Sequence, residues 1–265
     1  MIIDLHAHLI PGVDDGAQTL EDSLLLAKQA VEEGVEHLVL TPHHYNNQYV
    51  NHAKDVVEAA NQLQNALEKA GVSLNVYPSQ EIRINEHLID DLLNQDLLSL
   101  DDSGKYYLIE FPTQSIPDYS EQVLSQLVHR GITPVIAHPE RNHVFVEDLQ
   151  VYQNFIAMGC LGQITTSSIA GAFGTKIQTA AKQMIEKKLA HILASDAHSV
   201  EWRPFNYNDG LDALEKFFGE EKVQEFKENA RSIFNGEELA YQYQPVQKVS
   251  HKKAKKKSIW NLFKK

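Results

Sequence analysis

Seven short runs of β-branched or aliphatic residues recur along the chain at fairly even intervals, and stretches with helical periodicity separate them. The runs are Ile2 to Leu5, His37 to Leu40, Leu74 to Tyr77, Tyr106 to Glu110, Thr133 to Ala137, Leu161 to Thr165 and His191 to Ala194. Between most of them, apolar residues keep helical spacing over Leu20 to Glu33, Ala53 to Ala70, Tyr119 to Arg130, Leu149 to Met158 and Thr175 to Lys188. Thr19 followed by Asp22 predicts a capping box, and Gly34, Gly71, Gly131 and Gly159 stand where helices should stop. Strands that alternate with helices pair in parallel, because a parallel neighbour needs a long crossover. Seven such units in about 200 residues predict an α/β fold with barrel-like closure, with a doubly wound open sheet as the structural alternative. Beyond Asp209 the pattern is helical through Phe234 and then loses periodicity near Gly236.

The polar residues fall at the ends of those runs. The first ends in Asp4-Leu-His-Ala-His8, whose alternation puts His6 and His8 on one face of an extended segment. The second ends in Thr41-Pro-His-His44, the third runs out into Ser79-Gln-Glu81, and the fourth ends in Glu110. The fifth leads into His138-Pro-Glu-Arg141, and the seventh into Ser195-Asp-Ala-His198. In a βα barrel these ends share one rim, where active sites assemble. Any one of these His or acidic residues alone reads as a solvated or packing residue. Gathered at one rim they would be unpaired and costly without a cation, so the joint pattern predicts metal binding. His44 and His143 neighbour these candidates. Arg141 and Arg203 stand just beyond metal-type motifs, where a guanidinium fork can take a phosphate dianion; the plainer reading is a salt bridge in an acidic protein.

That acidity is uneven. The net charge of the 265 residues is -12, but Lys248 to Lys265 hold eight Lys and no acid, leaving 16 basic groups against all 36 acidic ones before them, a balance of -20. An acidic body argues against general nucleic-acid binding, which needs clustered Lys and Arg. Cys160 is the only cysteine, so no intrachain disulfide can form, and the start of the chain has no basic region of the kind that opens a secretory signal. No apolar run reaches the length of a spanning helix. The expectation is a cytoplasmic protein, with a barrel over 1–243 and a Lys-rich flexible tail over 244–265. The tail combines Lys252-Lys-Ala-Lys-Lys-Lys257 with Trp260 and Phe263, the ingredients of contact with an anionic membrane; the bland reading is a solubilising tail.

Asp4-Leu-His-Ala-His8, Val13-Asp-Asp-Gly16, Thr41-Pro-His43, Glu81, Ile109-Glu110, Ile136-Ala-His-Pro-Glu-Arg141 and Ala194-Ser-Asp-Ala-His198 together resemble the polymerase-and-histidinol-phosphatase (PHP) superfamily. More narrowly they resemble its branch of bacterial manganese-dependent protein tyrosine phosphatases, linked to capsular and extracellular polysaccharide synthesis. The similarity runs from residue 1 to about residue 235, and it implies that the barrel is a distorted (β/α)7 TIM-like barrel, the PHP fold. It implies one metal held by His6, His8, Glu81 and Asp196, with Glu81 bridging to a second that also takes Glu110 and His138. A third would take Asp15, His43 and His198, with His43 preferred to His44 and Asp15 to Asp14 by their register in the family motif.

Imidazole and carboxylate donors suit Mn, Fe or Zn, and manganese is what the resemblance implies. Three divalent ions would outweigh the four carboxylates of Asp15, Glu81, Glu110 and Asp196, turning the acidic rim into a seat for phosphate. The implied reaction is hydrolysis of phosphotyrosine on an autophosphorylating bacterial tyrosine kinase, with Arg141 and Arg203 as catalytic phosphate-binding groups and no covalent phospho-enzyme. Cysteine-dependent tyrosine phosphatases need an Arg shortly after their Cys, and Thr166 stands at that offset from Cys160. A small-molecule phosphatase resembling histidinol phosphatase, a PHP-type nuclease and a non-enzymatic kinase-docking module are the alternative readings.

Overall fold

The runs rich in Ile, Leu and Val become the staves of a parallel barrel. The computed structural model describes residues 1–239 with the exception of Asn47, so the tail expected over 244–265 lies outside the described residues. The strands are β1 (Ile2–Ala7), β2 (Val35–Leu40), β3 (His43–His44), β4 (Asn75–Pro78), β5 (Glu81–Arg83), β6 (Tyr106–Glu110), β7 (Thr133–Ala137), β8 (Leu161–Thr165) and β9 (Ile192–Ala194). The helices are α1 (Leu20–Glu32), α2 (Ala53–Lys69), α3 (Leu88–Leu93), α4 (Ser120–His129), α5 (His143–Glu147), α6 (Leu149–Met158), α7 (Thr166–Ala170), α8 (Thr175–Glu186), α9 (Tyr207–Phe218) and α10 (Glu220–Phe234).

Two of the seven predicted strands, the second and the third, are each followed by a break near a proline and then a short further strand. The ladder is interrupted at Thr41-Pro42 between β2 and β3, and after Pro78 between β4 and β5, because proline offers no N–H to a neighbour. The two broken strands stay side by side through the kink: Ser79 N donates to Leu40 O (2.8 Å) and Glu81 N donates to Pro42 O (3.1 Å). The break sorts the strands into sheets β1-β2-β4 and β3-β5-β6-β7-β8-β9, all paired in parallel. The far edge returns to β1, where Asp196 N donates to His6 O (2.8 Å) and His8 N donates to Ala197 O (2.9 Å). These links favour the distorted seven-unit barrel over the open sheet.

Two corrections to the sequence reading concern helices. The segment expected to be continuous from Asp209 to Phe234 is two helices, because Gly219 at φ 85° ends α9 and opens α10. The short helices α3, α5 and α7, of five or six residues, are too brief to leave a period in the sequence.

One apolar cluster gathers Ile3, Leu5, Leu108, Val135, Ala137 and Ile192 from the strands with Ala230 and Ile233 of α10. A larger one lies between the strands and the remaining helices. A register shift in β1, between Asp4 and Ala7 opposite Leu38 and Leu40, inserts one extra residue. Such a bulge re-aims the side chains that follow it. Ile3 and Leu5 therefore join one cluster, while Ala7 joins the other and His6 and His8 turn to face each other.

Between β8 and β9, His191 accepts a hydrogen bond from Gly162 N at Nδ1 (2.9 Å), and its own N–H donates to Gly162 O (2.8 Å). Burial first, and the Lys222 charge second, lower this imidazole from its ordinary 6.5 to about 3. The unfolded chain therefore takes up this proton first as pH falls. The stabilisation is full above pH 6.5 and is lost progressively toward pH 3, at a cost of about 2 kcal/mol by pH 5. Urea titrations at pH 7 and pH 5 should show a larger acid loss for the wild type than for His191→Gln; equal losses would contradict this assignment.

Candidate metal centre

Of the nine residues expected to bind metal, seven come from the C-terminal ends of strands or the loops that follow, while His43 and Glu81 open the short strands β3 and β5 just past the breaks after β2 and β4. The first four, His6, His8, Glu81 and Asp196, converge as the motifs imply. His6 Nε2 lies 3.1 Å from His8 Nε2, 3.3 Å from Glu81 Oε2 and 3.3 Å from Asp196 Oδ1. His8 Nε2 lies 3.4 Å from Glu81 Oε2 and 3.5 Å from Asp196 Oδ1. A tetrahedron with edges of that length has its centre about 2.0 Å from each corner, the distance a divalent transition ion keeps from nitrogen and oxygen donors.

A second group brings Asp15, His43 and His198 together and also takes in His8. Asp15 Oδ1 is 3.2 Å from His43 Nε2 and 3.5 Å from His198 Nε2. The third group differs from the implied set. His43 joins Glu81 and Glu110, with His43 Nδ1 2.9 Å from Glu81 Oε2 and 3.8 Å from Glu110 Oε2. His138 Nε2 instead bonds the other oxygen of Glu81, Oε1, at 2.7 Å. His44, the alternative to His43, lies against the rings of Tyr45 and His52.

The ring nitrogens are sorted by their outward partners. His8 Nδ1 donates to Asp14 Oδ2 (2.7 Å), His198 Nδ1 donates to Asp196 O (2.9 Å), and His6 Nδ1 meets Gln163 Oε1 (3.0 Å). Each bond leaves Nε2 with its lone pair turned inward, the usual second support of a metal-binding imidazole. Glu81 Oε2, Asp196 Oδ1, His43 Nδ1 and His198 Nε2 are buried and make no hydrogen bond. Orphaned donors at ligand spacing fit divalent cations.

The electrostatics express the same demand. Burial, then the Glu81 charge, lift Glu110 to about 7. Burial acts against charge on His43, yet Glu81 and Asp15 carry it up to about 10. Burial, then Arg141, lower His138 to about 4; burial, then His8, lower His198 to about 4. Without a cation the carboxylates thus hold a proton on His43, while His138 and His198 stay neutral with lone pairs free for a metal.

Backbone geometry aims several of these groups. His138 (φ 34°) and Asp196 (φ 52°) adopt the left-handed region just beyond β7 and β9, a conformation uncommon for non-glycine residues. At Gly16 a Cβ would sit 2.2 Å from His8 O, so only glycine lets the Asp14-Asp15 loop fold back onto β1.

Arg141 Nη1 and Arg203 Nη2 both donate to Asp196 Oδ2, so each predicted arginine reaches the rim. Three supporting roles escaped the sequence reading, one of them that of Asp14, which enters that reading only as an alternative ligand to Asp15. Asp14 holds His8 and also accepts from Gly16 N (2.9 Å) and His43 N (3.1 Å). Gln163 supports His6 from β8. Arg83 bonds Glu110 Oε2 through Nε (2.9 Å) and Nη2 (2.8 Å). Its signal was available, since two residues beyond Glu81 on a strand is the same face. Beside the centre, a cavity of about 630 Å³ is lined by Asp15, Leu25, Tyr49, His198, Glu201 and Trp202.

Fold and donor set together define a βα-barrel metalloenzyme. The chain belongs to the CpsB/CapC family of capsular polysaccharide synthesis, whose model matches residues 2–235. It is 41% identical over 252 residues to the tyrosine-protein phosphatase YwqE of Bacillus subtilis (strain 168), covering 95% of this chain and 98% of YwqE. Identity is 37% over 256 residues to the putative tyrosine-protein phosphatase CapC of Staphylococcus aureus, covering 95% and 98%. Among solved structures, one from the work on YwqE and on CpsB of Streptococcus pneumoniae, described as unique metal-dependent tyrosine phosphatases, matches with a TM-score of 0.89 and 41% identity. That match covers 93% of this chain and 100% of that one.

Proposed function

We propose that this protein is a metal-dependent protein tyrosine phosphatase acting on a phosphorylated bacterial tyrosine kinase that regulates capsule or exopolysaccharide synthesis, with manganese as its metal. The observation that carries the reading is the sharing of Asp196: one oxygen belongs to the first donor group, and the other receives both Arg141 and Arg203. Two guanidinium forks beside a cation site match the charge and geometry of a phosphoryl group.

His6, His8, Glu81 and Asp196 would hold one ion, Glu81 and Glu110 a second with His138 or His43, and Asp15, His43 and His198 a third. The bound ions would supply Lewis-acid polarisation of the phosphoryl group and acidify a water. Arg141 and Arg203 would hold phosphoryl oxygens and stabilise charge that grows on them. Asp196 keeps both arginines turned to the rim. Tyr49 and Trp202, the latter 59% exposed, give the adjoining cavity aromatic walls for a phenyl ring. A tyrosinate with a pKa near 10 departs with little protonic help, so no general acid is assigned.

The test is turnover of a phosphotyrosine peptide, histidinol phosphate and single-stranded DNA by the manganese-loaded protein. Preference for the peptide is expected. Preference for either other substrate would replace this reading, and inactivity on all three would favour the docking module.

The barrel over 1–243 and the tail over 244–265 would divide the work between catalysis and placement in the cytoplasm. No helix among the described residues is long and apolar enough to cross a membrane. Residues 236 and 237 are fastened near the start of β6, where Lys105 Nζ and the Tyr106 hydroxyl donate to Gly236 O and Glu237 O. These contacts lie at the end of the barrel opposite the site. Deletion after Gln247 is expected to reduce sedimentation with anionic vesicles and leave turnover of small phosphate esters intact; unchanged sedimentation would refute the tether.

A further inference from the structure

Arg141 faces two ways. Its guanidinium meets Asp196 in the metal centre, and the same residue lines a separate cavity of about 250 Å³ with His143, Phe173, Lys176 and Ile177. The guanidinium carbon stands 5.7 Å from the centre of the Phe173 ring, which gives it an apolar support. This cavity is built from the segments that follow β7 and β8, whereas the aromatic one is built mainly from segments that follow β9, β1 and β2. The two therefore adjoin the centre from different sides, and their charge is opposite. Asp15, Asp22 and Glu201 line the aromatic cavity; Arg141, His143 and Lys176 line the smaller one.

A cationic recess is unusual in a chain whose first 247 residues carry 36 acidic groups and 16 basic ones. His143 and Lys176 are exposed, and neither side chain has an acidic partner among the described residues. Glu140 also borders the recess, but it is fully buried, and its carboxylate accepts from Thr165 N at 3.0 Å. The recess also meets the start of α8, which has Gly174 as its N-cap, no side-chain cap and no acid in its first turn. Its first backbone N–H groups add positive potential to that of the side chains.

We propose that this recess is a second anion subsite, which holds an acidic side chain of the protein substrate, a carboxylate or a second phosphoryl group, while the neighbouring phosphotyrosine occupies the metal centre. The inference rests on the phosphatase reading and adds a sequence preference to it. Because Arg141 borders both places, one extended peptide would bring both anions to it, since its residues two apart point the same way at about 7 Å. Arg141 would bridge them, and Lys176 and His143 would read the second.

The experiment compares kcat/KM for one phosphotyrosine peptide in three forms: with Gln, with Glu, or with a non-hydrolysable phosphonate analogue of phosphotyrosine two residues away. The anionic forms should be preferred on the order of five-fold, with the preference shrinking at high salt. Lys176→Glu should abolish the preference and Lys176→Gln should reduce it, while both variants hydrolyse phenyl phosphate like the wild type. Preference for Glu alone or for the phosphonate alone would support the subsite and identify its occupant. Equal turnover of all three peptides by an enzyme active on phenyl phosphate would overturn the subsite and leave the phosphatase reading intact. Inactivity on every phosphate ester would overturn both.

Discussion

Glu81→Gln is expected to lower turnover of a phosphotyrosine peptide by about 10³-fold or more, equivalent to roughly 4 kcal/mol of transition-state stabilisation. Glu81 is fully buried and borders two of the three donor groups. Its Oε1 bonds His138, while its Oε2 lies within 3.4 Å of His6 and His8 and 2.9 Å from His43. Glutamine keeps the shape and removes the charge, so the barrel should fold while the shared oxygen ceases to hold cations. Elemental analysis separates this cause from a merely catalytic one: bound metal should fall with the activity, and the circular dichroism spectrum should match the wild type. Full metal content together with full turnover would remove Glu81 from the centre.

The positions of these donors were readable because strand ends leave plain signals. His6 and His8 are two apart on a strand, Glu110 closes an apolar run, and the motifs around His138 and Asp196 follow runs that become β7 and β9. What could not be read was the angle at which each side chain enters. The bulge in β1 changes which residues share its faces, and the interruptions at Pro42 and Pro78 divide two strands. His43 is the sharpest case. Its ring faces Asp15 on one side and Glu81 on the other, so it belongs to two groups, whereas the motif assigns it to one. Gln163 was invisible for another reason: a glutamine inside a strand has no motif, and its use appears only when β8 lies beside the rim that carries His6.

The -20 balance of residues 1–247 also changes meaning in three dimensions. Spread evenly, it would repel a phosphoprotein. Three of the chain's five arginines, Arg83, Arg141 and Arg203, are instead drawn to the rim by Glu110 and Asp196. The proposed cations would complete that reversal, so an acidic surface and an anionic substrate are compatible.

Chelation should therefore be the most damaging treatment short of unfolding. Dialysis against EDTA is expected to remove essentially all turnover, manganese should restore it, and Cys160→Ser should leave kcat within about two-fold of the wild type. The contrast separates two ways of cleaving a phosphotyrosine. A thiol nucleophile has to be ionised and reachable. Cys160 is neither: it is 1% exposed, burial pushes its thiol far up, and it directly precedes β8, at the end of that strand away from the rim. Serine there costs only a small mismatch of a hydroxyl in an apolar niche, felt in stability and not in rate. Activity that survives exhaustive chelation but dies with Cys160→Ser would reverse the assignment. The geometry opposes that outcome, because the three groups of potential ligand atoms found among the described residues are built from imidazoles and carboxylates alone, the donors suited to a cation, and include no thiol.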